Sequence, residues 1–159
     1  MKHILSVLVV NHPGVLAKVA GLFSRRGFNI DSLAVGVTND PNVSRMTILT
    51  EGDDSTVEQI ARQLGKLVDV IKVTNVSENS VTRELALIKL RTTSETRGEI
   101  IEIINIFRAK VVDISTDFLT VEITGNADKV SALEDMLKGF GIEEMVRTGI
   151  IAISRGKSV

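Results

Sequence analysis

The sequence contains no cysteine, no tryptophan and no tyrosine, and aromatic residues fill only 3% of its 159 positions. Without cysteine there is no disulfide, thiolate metal site or thiol nucleophile, a composition that fits a reducing compartment. Any core must be built from Val, Ile, Leu and Ala. A basic excess is missing too. The formal net charge is -1 at pH 7, whereas a protein that grips phosphate backbones carries a basic face. Nor is there a long hydrophobic run. The opening MKHILSVLVVNHPG lacks a small-residue cleavage site, and its apolar stretch falls far below the ~18 residues needed to span a bilayer. These absences point away from nucleic acid and membrane, towards a soluble cytoplasmic protein. What remains is the balance of a globular chain, 43% hydrophobic and 25% charged.

The aliphatic run Ile4 to Val10 reads as a buried strand that ends at Asn11-His12-Pro13-Gly14. From Val15 the period becomes helical. Val15, Leu16, Val19, Ala20, Leu22 and Phe23 share one face, and Gly27 stops the helix as a residue suited to positive φ. Residues Ile30 to Thr38 and Val43 to Thr50 read as strands around the Asn39-Asp40-Pro41-Asn42 turn. Ser55 and Glu58 have capping-box spacing before Val57, Ile60, Ala61, Leu64, Leu67 and Val68. A strand from Val70 to Val76 completes βαββαβ. Ser77 to Thr82 reads as a linker, and the order then repeats. Its elements are a strand Glu84 to Arg91, a helix behind a Thr96–Glu99 box, and paired strands Val111 to Thr116 and Phe118 to Thr124. A helix capped by Asn126, a strand Glu144 to Ser154 and a polar tail Arg155 to Val159 close it.

The expected fold class is therefore α+β, two tandem ferredoxin-like βαββαβ units, residues 1–77 and 78–159. Each half, at roughly 75 residues, is close to the lower limit for an independent core. Both helices fall on one side of each sheet, which leaves the other face and the edge strands to be covered, most simply in a symmetric dimer.

This order of elements serves many functions, so chemistry must decide. The strands carry no aromatic cluster for stacking bases. His3 and His12 form no metal-ligand spacing with a carboxylate cluster, and G-x-S-x-G, P-loop and G-x-G-x-x-G motifs are all missing. Asp53-Asp54 suits a helix N-terminus better than a cation. The turn Asn11 to Leu16 is different. Free backbone N–H groups at a helix start favour an anion by roughly 0.3–2 kcal/mol. Asn11 adds a polar side chain, and Gly14 permits close approach. From spacing alone, a capped helix start with a turn glycine is the commoner reading. Asn29, after the Gly27 turn, is a second polar candidate. With two units side by side it faces the Asn11 turn of the neighbour.

Several stretches resemble one family. They are Ile4 to Val7, Asn11 to Leu16, Gly21 to Leu33 (GLFSRRGFNIDSL), Asp40-Pro41, Ser44 to Thr47, Gln63-Leu64 and Lys66 to Val70. In the second half they are Arg83 to Leu85, Val111 to Asp113, Arg147 to Gly149 and Ser154 to Gly156. Together they resemble the small regulatory subunit of acetolactate synthase (acetohydroxyacid synthase). The resemblance implies an N-terminal ACT domain, a C-terminal ferredoxin-like domain and a homodimer with paired ACT units. It further implies a large catalytic subunit as partner, carrying thiamine diphosphate, Mg and FAD, with no cofactor in this chain. The family raises the activity of that subunit in branched-chain amino-acid synthesis and makes it sensitive to valine. The effector site then carries over to Asn11, Gly14, Val15 and Leu16 of one chain and Asn29 and Ile30 of its neighbour. His12-Pro13 stands where many relatives have an acidic residue and Ser or Pro. An alternative, a stand-alone amino-acid-responsive ACT transcription regulator, requires a helix-turn-helix or basic arm, and neither is visible.

Overall fold

In the computed structural model, which describes residues Met1 to Ser158, the first apolar run forms β1 (Lys2–Val10) and the Asn11–Gly14 turn leads into α1 (Val15–Arg25). Val15, Val19, Leu22 and Phe23 of α1 are buried. The helix ends as the glycine requires. Gly27, at φ 72, donates to the Ser24 carbonyl while Phe28 N–H reaches the Phe23 carbonyl, the pair of bonds of a Schellman motif.

Next come β2 (Ser32–Val37), β3 (Val43–Glu51), α2 (Asp54–Gly65) and β4 (Val70–Asn75). The four strands form one sheet in the order β2-β3-β1-β4, with β1 antiparallel to both neighbours. Leu5, Val7, Val9, Met46 and Ile48 turn towards α1 and α2 and make the core with Val57, Ile60 and Leu64.

Two local expectations are corrected in α2. Its N-cap is Asp53, not Ser55. Asp53 lies in extended backbone and its carboxylate accepts Thr56 N–H at 2.7 Å. A charged acceptor makes the stronger cap and starts the helix two residues earlier. The helix also stops at Gly65, so Val68 leaves the apolar face and is 96% exposed.

The expected linker Ser77 to Thr82 is shorter, because β5 runs from Ser80 to Arg91. After it come α3 (Arg97–Ile106), β6 (Lys110–Ile114), β7 (Phe118–Gly125), α4 (Ala127–Leu137) and β8 (Ile142–Arg147). The second sheet runs β6-β7-β5-β8, with a fifth, C-terminal strand also paired to β5, and its core includes Ile88, Leu90, Ile100, Ile104, Leu119, Val121 and Leu133. Asn126 caps α4 as expected, accepting Lys129 N–H at 2.9 Å. Thr96 does not cap α3. Its backbone is already helical, and its hydroxyl accepts Thr93 N–H while its own N–H donates to the Thr93 hydroxyl.

The closing strand is two strands, not one. Gly149, at φ 83, separates β8 from β9 (Ile151–Ser154). By contacts the chain forms two compact units, Met1–Val81 with the segment from Ile150, and Thr82–Gly149. Within the first unit, Ile150 N–H donates to Ser32 Oγ at 3.0 Å and Arg155 N–H to the Asn79 carbonyl at 2.9 Å. Ser6 and Thr47, on the sheet face away from the helices, are only 6% and 3% exposed, and Ala152 is buried. Part of the face expected to await a partner is thus covered by the chain itself. Val159, the last residue of the expected polar tail, lies outside the described residues.

Candidate functional site

The turn between β1 and α1 is held from both sides. Asn11 N–H donates to the Asn42 carbonyl at 2.8 Å, and Asn11 Nδ2 to the Pro41 carbonyl at 3.0 Å. On the other side Val10 N–H donates to the Asp69 carbonyl at 2.9 Å. These contacts follow from topology, because β1 lies between β3 and β4. Gly14 then takes φ 87, which an L side chain rarely adopts, and serves as the N-cap of α1 without a side-chain hydrogen bond. The first turn of α1 contains no acidic residue. Its leading N–H groups and the positive end of the helix are therefore presented to solvent.

Each expected residue contributes differently. Asn11 and Gly14 are exposed in the turn. The Val15 side chain is buried in the core, so only its backbone faces outward, whereas Leu16 is exposed. Asn29 is exposed, with Nδ2 donating to Asp31 Oδ1 at 2.7 Å and its carbonyl accepting the Thr50 hydroxyl at 2.8 Å. Ile30 is half-buried against the core.

The sheet register separates these residues into two groups. Ser32 is level with Leu49, and Leu49 with Ile4; Val37 is level with Ser44, and Ser44 with Val9. β2 thus begins at the end where β1 begins, while the Asn11 turn follows the opposite end. At about 3.3 Å per residue the two places are on the order of 20 Å apart in one chain. Asn11, Gly14, Val15 and Leu16 come together; Asn29 and Ile30 do not join them.

Three contact partners were not among the expected site residues: Pro41 and Asn42, read only as part of a turn, and Asp69. Strand adjacency was their only signal. Asp69 also binds Lys18 in the first turns of α1, Nζ to Oδ2 at 2.7 Å. Among the described residues, no group of three or more His, Asp or Glu is arranged to hold a metal, and no helix is long and apolar enough to cross a membrane.

A βαββαβ unit of this kind is the build of an ACT domain, and residues 5–72 match the family model described as AHAS small subunit-like ACT domain. Residues 83–156 match the model for the small subunit of acetolactate synthase. The chain is 56% identical to a probable acetolactate synthase small subunit of Archaeoglobus fulgidus, covering 98% of each. It is 57% identical to the acetolactate synthase small subunit of Mycolicibacterium smegmatis, covering 97% of this chain and 91% of that protein. The fold matches the crystal structure of the small subunit from Thermotoga maritima with a TM-score of 0.92, at 48% identity and 99% coverage of both. The chain belongs to the acetolactate synthase small-subunit family, the regulatory subunits of that enzyme.

Proposed function

We propose that this chain is non-catalytic, that it raises the activity of a thiamine-diphosphate-dependent large subunit, and that it makes that subunit sensitive to valine. The observation that carries the effector reading is the start of α1: Gly14 gives no side-chain cap and the first turn gives no acid. A ligand carboxylate is the missing complement. Asn11 assists it, and the exposed Leu16 offers apolar contact to an isopropyl group.

Asn29 and Ile30 lie at the far end of the same sheet, so their share in the site is supplied by a second copy. That supports a homodimer in which two ACT units pair. A ligand held between two chains biases their interface, and a coupling of about 1–3 kcal/mol is enough for feedback control. Valine is named from the family. One methylene in an apolar pocket is worth only ~1–3 kcal/mol, which sets the margin over leucine. Thiamine diphosphate, Mg and FAD belong to the large subunit in this reading, and the cytoplasm is the compartment where the two meet.

Titration calorimetry of the full chain with valine tests the site directly, with Gly14→Asp beside the wild type. A Cβ built on Gly14 meets nothing within 4 Å, so the substitution fits the space and places a carboxylate at the seat. Saturable valine binding by the wild type and a loss of about 100-fold or more in Gly14→Asp is expected. Gly14→Ala, which has the same backbone strain without the charge, retains most of the affinity. Equal binding by Gly14→Asp removes the turn from the site.

A further inference from the structure

The Asn11–Gly14 turn carries the effector reading, and beyond the Asn11 bonds to Pro41 and Asn42 it depends on its two flanks. Its geometry is set by what grips its two flanks. On the entry side, Val10 N–H is bound by the Asp69 carbonyl. On the exit side, Lys18, whose N–H donates to the Gly14 carbonyl, sends its ammonium to the Asp69 carboxylate. One residue in the loop between α2 and β4 therefore holds both ends, by main chain at one and by side chain at the other.

The two partners differ in freedom. The Asp69 side chain is 18% exposed and the Lys18 side chain 62%. Asp69 is the fixed post and Lys18 the tether. Its position four residues beyond Gly14 places that tether one helical turn from the N-cap, close enough to set the direction of the leading N–H groups.

We infer that Asp69 is a positioning residue for the effector turn, acting through Lys18; the inference rests on the effector reading of that turn. With the pair intact the first turn of α1 keeps the orientation that aims its N–H groups at the ligand carboxylate. With the pair broken, binding must first restore that orientation. Because the pair is partly exposed, the effect is modest and weakens with salt.

A double-mutant cycle in the full chain, reconstituted with its large subunit and titrated calorimetrically with valine, tests this. Lys18→Met and Asp69→Asn each raise the dissociation constant by about three- to fivefold at low salt. The double variant is no weaker than either, since the two residues act as one unit. Lys18→Arg restores affinity, and the gap between wild type and Lys18→Met narrows as salt is raised. A purely structural role leaves valine affinity unmoved in both single variants, and that result overturns the inference. So do additive effects, which mean that the two residues act independently, and tighter binding by Asp69→Asn, which means that Lys18 acts on the ligand directly. No saturable binding by the wild-type complex is a separate outcome: it overturns the effector reading itself, and this inference with it.

Discussion

The first helix of each unit follows a long strand, but α1 and α3 begin in opposite ways. At α1, Gly14 supplies no side-chain cap and no acid follows in the first turn. At α3, the Thr93 and Thr96 hydroxyls and N–H groups satisfy one another, and Glu99 sits in the first turn. The other two helices are also supplied from within: Asp53 and Asp54 at α2, Asn126 and Asp128 at α4. A carboxylate in the first turn complements the helix dipole before any ligand arrives. The difference shows how one βαββαβ design is divided between tasks. The unit that spends its helix start on internal stability has no open helix start, and the other, with glycine as its N-cap, gives up roughly a few tenths of a kcal/mol for the seat proposed above.

The ion pairs sharpen the same contrast. In the first unit Lys18–Asp69 is largely in solvent on the lysine side. In the second, Glu84 is only 4% exposed, and Arg147 binds its Oε1 through both Nε and Nη2 and lies 3.8 Å from Glu134. Breaking a buried pair leaves an uncompensated charge. Glu84→Ala is expected to destabilise the chain by about 2 kcal/mol, less than a fully buried pair costs because Arg147 retains solvent and Glu134. Urea unfolding measures it; a loss no larger than that of Lys18→Met removes the contrast.

Next in size is Asn126→Ala, which deletes a working cap and should cost about 1 kcal/mol in the same assay. Smaller, and opposite in sign, is Arg108→Gly. Arg108 occupies the C′ position of α3 at φ 55, the place that Gly27 fills after α1. Glycine there relieves the left-handed strain and, after its own entropic cost, is expected to stabilise by about 0.5 kcal/mol, read as a rise in melting temperature.

The smallest expected effect is pH-dependent. Hydrogen bonds from the Thr56 hydroxyl and N–H hold the Asp53 carboxyl below its ordinary value of 3.8. A depressed folded-state value means that ionised Asp53 stabilises in full above the unfolded value and loses that contribution as pH falls through the folded one. The advantage of wild type over Asp53→Asn in melting temperature should therefore shrink below about pH 4. An advantage constant down to pH 2 contradicts the assignment.

Much of this was legible in the residues, and the exceptions have physical causes. Periodicity found both units, and Gly27 and Asn126 marked helix ends because their chemistry acts locally. Asp53 was missed because Ser55 and Glu58 offered a neutral cap of the right spacing, while a charged acceptor two residues earlier made the better bond. The division of β8 from β9 turned on Gly149, whose positive φ is invisible without its surroundings. For the candidate site, the turn from Asn11 to Leu16 stood out by composition. Its supports, Pro41, Asn42 and Asp69, did not, since they arrive from other strands through register alone.

The return of β9 to the first unit has a consequence for how the chain comes into being. The unit made first cannot be finished first. Until the ribosome has added Thr82–Gly149 and then Ile150–Ser154, the outer surface around Ser6 and Thr47 lacks its covering strand. The nascent first unit is therefore left without Ile150–Ser154 until the second unit has been synthesised.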